Sequence, residues 1–584
     1  MNKILQHKYW WLAVIFIFVA VTYASSFLHY RADLTVDRRF TLSPSTKKLI
    51  SNLDSDVTIK VFLTGDLPAD YKKLSIATND MLNELREISS NKINFHFEEL
   101  GKDLNDSDKN NLYDSLAHLG VVFERNENAD ASQNKTTNQI IIPSALVFYK
   151  NEKPFAIDLR SSRQVFNNYN IVTDDPSSKV DKEATRNAAE ALLEFKFANA
   201  IDKLTRKYIP TIAYATGNGE PIDLTVNDLG ESIRNDYRLG VFDLKNYYPD
   251  ASKIDALLIV KPTKPFTEED KLKIDQYVMH GGKVFWAVDK LYAELDSLMR
   301  SQADFIAFDR NLNLDDILFK YGVRINSDLV QDLDCSKIPI VTGYNPDNSP
   351  QFQRFPWAYY PFLSANNNNP ISKNLDRVLS IFPSSIDTVK TVDINKTILL
   401  ASDTNSRRLS SPALVTLKSI ELSDADLQSF NKSYIPVAVL LEGKFKSLYA
   451  NRLTQQVLDS VAKSTGKPFA DVSEKDGKQI VVADADIVTN EVSHTNGPLP
   501  MGELEFENYR FANREFFLNS IDYLVSTSGI FESRNKDFVL RLLDKNKVKD
   551  ERTEWQLINI VAPIALVILF GIFFQWRRKN KYAA

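Results

Sequence analysis

Two stretches stand apart because no charged residue interrupts them. One runs from Trp10 to Phe27 (WWLAVIFIFVAVTYASSF), the other from Trp555 to Trp576 (WQLINIVAPIALVILFGIFFQW). At about 1.5 Å per residue, helices of this length match the ~30 Å apolar core of a bilayer. The pattern predicts two transmembrane helices, at 10–28 and 555–576. Trp555 and Trp576 lie where interfacial aromatic residues gather, and Arg577, Arg578, Lys579 and Lys581 follow directly. Pro563 sets up a kink in the second helix. The alternative for the first stretch is a cleaved signal peptide, with Thr22, Tyr23 and Ala24 as its small-residue site, although the apolar run exceeds a usual signal core. Two spans put both termini on one side and residues 29–554 on the other. Basic residues flank both sides of the first span (Lys3 and Lys8; Arg31, Arg38 and Arg39), so charge alone does not orient it.

Between the spans the periodicity switches repeatedly between two and 3.6. Ser43 and Pro44 form a helix start, a capping serine before a proline at the first helical position. Residues 57–207 read as strand (Val57–Leu63), helix (Leu74 to Ile88), strand (Ile93–Leu100), helix (Leu112–Leu119), two strands within 142–159 and a long helix (Glu183–Leu204). That βαβαββα order is the order of a thioredoxin-like fold, with Pro143 placed like its cis-proline. A second unit opens at Ile209–Ala215. Apolar runs at Ala256–Val260 and Lys283–Val288 alternate with helices, and Thr267 to Asp270 resembles a capping box. Continuous apolar strands between helices predict a parallel sheet covered on both faces, a flavodoxin-like or amidotransferase-like doubly wound module. Residues 306–478 read as a strand-rich α/β continuation. Residues 125–138 and Asn366–Asn369 read as loops, and the aromatic run from Phe352 to Phe362 as core or hairpin cladding.

The fold expectation is therefore α/β, with two transmembrane helices flanking a large exterior region. Its divisions are a tail (1–9), the first span, a strap with a short helix (29–56), the thioredoxin-like domain (57–207), the doubly wound part (208–305), the strand-rich continuation (306–478), a closing strand and helix (479–530), an amphipathic connector (531–554), the second span and a basic tail (577–584).

Composition narrows the chemistry. The 584 residues, 43% hydrophobic and 25% charged, supply several folded cores. Seventy-one basic and 76 acidic residues are well mixed, which argues against a nucleic-acid partner. The one cysteine, Cys335, excludes an internal disulfide, a cysteine-rich zinc site and CxxC redox chemistry, so the thioredoxin-like module reads as a binding module.

No phosphate-binding GxxxxGK[ST] occurs; Thr465-Gly466-Lys467-Pro468 lacks the upstream glycine and ends in proline, so ATP hydrolysis is not expected of this chain. GxGxxG and GxSxG are absent, and the six histidines never fall in HExxH spacing. His96 reads as a sheet-face residue. No metal or cofactor is expected. The best ligand-binding candidate is the loop Thr216, Gly217, Asn218, Gly219 and Glu220, between a central strand and a helix. Its plain alternative is a tight turn with Glu220 bonding nearby amides. Asp289 ends the KVFWAV strand. Asp484 and Asp486 end another, where they would either bind a ligand or cation or cap the following helix. Cys335 has no histidine near it in sequence, and no catalytic role is expected of it.

The segment Arg31 to Ser43 (RADLTVDRRFTLS), just outside the first span, resembles the R-x-D-L-T…R-[FY]-T-L-S opening of ABC-transporter auxiliary proteins, in particular the gliding-motility auxiliary subunits of Bacteroidetes. The TGNGE loop, Phe355-Pro356-Trp357 to Pro361, Gln479–Asn490, Asn513–Leu524 and the C-terminal span extend the resemblance across the chain. It implies a separate permease and ATPase, anchorage in the inner membrane, residues 29–554 in the periplasm, cytoplasmic termini and a role in gliding. It supplies no catalytic residues. The exterior domains would bind an envelope protein or a small ligand. The alternatives are a periplasmic amidotransferase-like hydrolase using the 216–220 loop, and a structural scaffold of the motility machinery.

Overall fold

The structure, a computed structural model, describes residues 41–582 except 103, 131–134, 162–181, 295–303, 367, 494, 508, 527 and 536–550, together with Ile15, Phe16, Phe18, Val19 and Thr22. The chain forms two units, 1–536 and 537–584. It is a mixed α/β protein.

The first unit begins as its sequence dictates. Ser43 caps the helix Pro44–Ser51 by accepting from the Thr46 amide, and Ile50 and Leu53 are buried. A four-stranded sheet follows, in the spatial order Ile93–Phe97, Val57–Val61, Ser144–Tyr149, Phe155–Asp158. The first pair is parallel and the others are antiparallel. Strict alternation along Val57–Val61 sends Val57, Ile59 and Val61 to one face, against Leu74, Leu82 and Leu85 of the helix Ala69–Ile88 and Leu193, Phe197 and Ile201 of the helix Lys182–Thr205. Leu146, on the opposite face, packs with Leu116 and Val121.

Two expectations here are corrected. The polar stretch taken as a loop at 125–138 contributes to a hairpin, Glu124–Asp130 with Lys135–Ile141; its ladder is made by backbone groups, which leave no apolar periodicity to read. The Ile142–Pro143 peptide is trans, and the cis bond among the described residues is Ser411–Pro412. The chain turns at Pro143 through a three-residue hydrogen bond, Ser144 N–H to Ile142 O at 2.8 Å, while the Pro143 carbonyl accepts from Leu159.

The large sheet has ten strands. Five are parallel, in the spatial order Arg238–Asp243, Thr211–Thr216, Ala256–Val260, Val284–Ala287, Gly477–Val482, which is 2-1-3-4-5 in chain order. Beyond them Pro436–Gly443, Ile394–Ala401, Pro350–Ala365 and Cys335–Tyr344 continue the sheet antiparallel, and Val378–Leu379 pairs with Pro350–Ala365. Every residue of Ala256–Val260 and Val284–Ala287 is buried, as expected for strands covered on both faces. Leu229, Ile233, Phe516, Phe517 and Ile521 cover one face. Ile274, Tyr277, Val278, Ile317, Leu318 and Tyr321 cover the other. The capping box of Thr267 and Asp270 starts the helix Glu268–Met279. In the strand-rich part Trp357, Tyr359 and Tyr360 are core, whereas Phe352 is 49% exposed.

The helix Lys182–Thr205 serves both sheets. Leu193, Phe197, Ala200 and Ile201 face the small one, and Phe195 and Ala198 belong to the core of the large one. Apolar residues on more than one side fit a helix held between two layers. Near its end Lys203 pairs with Asp236 at 2.6 Å and Asp522 at 3.2 Å, all three nearly buried.

In the second unit Arg552–Tyr582 is one helix, passing through Pro563. Among the described residues it is the one helix long and apolar enough to cross a membrane. The expectation of two such helices is therefore met once. Most of the expected first span lies outside the described residues, and so do residues 536–550 of the expected connector.

Candidate functional site

The parallel strands of the large sheet end together, so the loops leaving their carboxyl ends gather along one edge. In open α/β sheets ligands bind there, at the point where strand order reverses. In the 2-1-3-4-5 order that point lies between Thr211–Thr216 and Ala256–Val260.

The 216–220 loop leaves the first of these strands. Gly217 and Gly219 adopt φ of +122° and +82°, which side chains disfavour. A Cβ on Gly219 would lie 2.1 Å from Thr263 Oγ1. The loop is closed onto its neighbour: Asn218 O accepts from Thr263 N (3.0 Å) and Lys264 N (2.8 Å), and Thr263 Oγ1 donates to Gly219 O (3.0 Å). Glu220 Oε2 accepts from the Asn218 amide at 2.7 Å, so the carboxylate occupies the place an anion would take on that N–H. Burial pushes the Glu220 carboxyl above its usual range, against the pull of these amides. Lys245 pairs with Asp270 at 2.5 Å beside the loop.

Two strands further along, Asp289, Asp484 and Asp486 come together, with donor oxygens all within 4.8 Å of one another. Sequence reasoning had singled out each of them without placing them together. Asp484 Oδ1 accepts from Asp486 N (2.8 Å), which caps the short 3₁₀ turn Ala485–Ile487. Its Oδ2 accepts from Ser380 Oγ (2.5 Å) and Ile381 N (2.7 Å). Asp289 accepts from Ala485 N at 2.6 Å. Asp486 accepts from Thr489 Oγ1 at 2.9 Å. Asp484 therefore caps, as one of its two readings held, and also joins a carboxylate cluster.

Lys261 completes this group. Its ammonium bonds Asp486 and lies 3.6 Å from Asp289. Sequence reasoning missed it, although a lysine directly after the buried run Ala256–Val260 is a signal that could have found it. Its φ of +49° is rare for a lysine and carries no sequence mark. Burial works against the charged ammonium, yet Asp486 and Asp289 outweigh it and hold Lys261 above the usual lysine range. Burial pushes Asp484 and Asp289 up, with the Asp486 charge adding to both. Three carboxylates against one ammonium leave net negative charge if all are ionised. Their oxygens are of the type that holds a hard cation, and Lys261 already supplies one positive charge among them.

Thr216 ends its strand, half-buried, donating to Phe242 O at 3.3 Å. Cys335 is buried, and burial with Asp334 and Asp332 pushes its thiol up to about 12, which leaves it a poor nucleophile. His96 is on the half-exposed side of its strand, 3.5 Å from Glu98.

A family model described as "ABC-type uncharacterized transport system" matches residues 209–520, more than half the chain and all of the large sheet. The chain belongs to this family. It is thus an auxiliary component of an ABC-type transport system, and the strand-end edge with its carboxylate cluster lies within the family-matched region. A second model, a domain of unknown function (DUF7088), matches residues 36–148 and so takes in most of the small sheet. A protein of Borreliella burgdorferi, titled only as uncharacterized, is 21% identical over 569 residues, covering 94% of each chain. Among solved structures, the mmIFT52 N-terminal domain superposes with a TM-score of 0.30 at 11% identity, covering 54% of this chain and 97% of that one. The exo-beta-1,4-mannosidase Op5Man5 from Opitutaceae bacterium strain TAV5 gives 0.20 at 9%, covering 53% and 36%. Superpositions this loose carry no argument about fold or activity.

Proposed function

We propose that this auxiliary component is a non-catalytic, membrane-anchored subunit working beside a separate permease and ATPase. Its exterior residues 29–554 lie in the periplasm and both termini in the cytoplasm. The observation that carries the reading is the joining, in one chain, of a family-matched α/β region to a helix whose stretch from Trp555 to Trp576 is charge-free and of membrane length. Two anchors pack on the permease, and motion driven by the partner ATPase passes through them to the exterior domains. The absence of a phosphate-binding loop in the sequence supports fuel being consumed elsewhere. The small sheet is read as a thioredoxin-like binding module and the large one as a doubly wound, flavodoxin-like module. Within the family, the resemblance of the Arg31–Ser43 segment supports a role like that of the gliding-motility subunit GldG.

The test is extraction of the tagged full chain from its native membrane in mild detergent. Recovery of a polytopic permease and an ATPase in fixed ratio is the expected result; recovery of neither would overturn the proposal. Loss of gliding on deletion, in a gliding host, checks the finer role.

A further inference from the structure

The 216–220 turn contains two side-chain atoms that nothing among the described residues satisfies. Asn218 Oδ1 and Glu220 Oε1 are both buried without a hydrogen-bond partner, on residues 0% and 7% exposed. A buried polar atom left unpaired costs roughly 1–3 kcal/mol, so each requires an account.

The other atoms of the same side chains are committed. Glu220 Oε2 takes the Asn218 N–H at 2.7 Å. Asn218 Nδ2 faces Pro265 O at 3.3 Å and Asp270 Oδ2 at 3.4 Å. Flipping the amide would set Oδ1 against the Asp270 carboxylate, so its orientation is fixed by charge. The loop cannot swing to find partners, because the carbonyls of Asn218 and Gly219 are tied to Thr263 and Lys264. Both unused atoms are acceptors, so an occupant must be a donor or a cation.

The charge count selects among cations. Glu220 and Asp270 contribute two negative charges and Lys245, on Asp270, one positive. Lys264 beside the turn is exposed and forms no ion pair with either carboxylate among the described residues, so one negative charge is left unbalanced. A divalent ion would draw on several carboxylates, and Asp270 is already spent on Lys245 and the Thr267 amide. Gly217, at the start of the turn, is exposed.

We propose that the Gly217–Glu220 turn holds a compact monovalent cation, either a free alkali or ammonium ion or the primary ammonium group of a small ligand. The occupant bridges Asn218 Oδ1 and Glu220 Oε1 and locks the switch-point crevice. This inference does not depend on which partners the subunit has.

The experiment follows thermal unfolding of the detergent-solubilised full chain. Potassium, sodium, ammonium and methylammonium chlorides are each titrated against tetramethylammonium chloride at constant ionic strength. A saturable rise of about 2 °C with a compact cation, absent in Glu220→Gln, is expected. A rise with alkali ions or ammonium alone assigns a free ion; a rise with methylammonium as well assigns a ligand ammonium group. Identical curves in all salts would mean that water fills the turn and would overturn the proposal, as would an undiminished rise in Glu220→Gln. Should that variant not fold, sodium NMR relaxation of the unaltered chain decides: a saturable, potassium-competable bound fraction supports the site, and its absence removes it.

Discussion

Replacing Lys261 by methionine removes the ammonium that pairs with Asp289 and Asp486 while keeping most of the length of the side chain. The Lys261, Asp289 and Asp486 side chains are 21%, 12% and 18% exposed. At the 3.6 Å separation from Asp289, with an effective dielectric of about 20, one such pair is worth roughly 4–5 kcal/mol before desolvation. The ammonium's own desolvation offsets part of this. Removing one partner of a buried pair costs about 3–5 kcal/mol, and about 3 kcal/mol is expected here at pH 7.5. The pH dependence follows from the directions of the shifts. Asp289 and Asp484 are raised, so the folded chain holds protons that the unfolded chain has released. Stability therefore falls as pH rises from the ordinary carboxylate range through the raised folded values. The methionine variant lacks the charge that holds these carboxylates down, so its deficit is expected to be smaller at pH 5 than at pH 7.5. Urea unfolding followed by tryptophan fluorescence reports it, because Trp286 is fully buried in the strand that leads to Asp289. A loss under about 1 kcal/mol at pH 7.5, or the same loss at both pH values, would refute the reasoning.

Other consequences are equally direct. Gly219→Ala places a Cβ where Thr263 Oγ1 stands, at a φ of +82°, and should lower stability by about 2 kcal/mol or more in the same unfolding assay. Lys203→Met leaves Asp236 and Asp522 without their shared cation and should cost about 3 kcal/mol; limited proteolysis should then cut between the two sheets faster. Cys335, with its thiol pushed up to about 12, should resist thiol reagents at pH 8 in the folded chain and react fully in urea.

Much of the fold was legible where one element alone decides it. Ser43 with Pro44 and Thr267 with Asp270 start helices because caps act within one turn of chain. The strand at Ala256–Val260 was read to the residue because an unbroken apolar run needs cover on both faces. The polar hairpin of Glu124–Asp130 with Lys135–Ile141 was not legible, since a ladder of backbone hydrogen bonds needs no apolar alternation in the sequence. Nor was the trans geometry of the Ile142–Pro143 peptide, since a proline in sequence is compatible with either isomer.

The same division holds for the candidate site. Sequence alone determined that the chain is mixed α/β, that its C-terminal helix is apolar enough to enter a membrane, and that Glu220, Asp289, Asp484 and Asp486 stand at strand ends. These follow from periodicity, length and the places where apolar runs stop. Only the tertiary structure decided that Asp289 meets Asp484 and Asp486, nearly two hundred residues further along the chain, in one cluster, and that Lys261 neutralises part of it. It also decided that Glu220 turns back onto its own loop. Charges meet across a sheet through strand order, and strand order is set by long-range packing of faces that no local stretch of residues encodes.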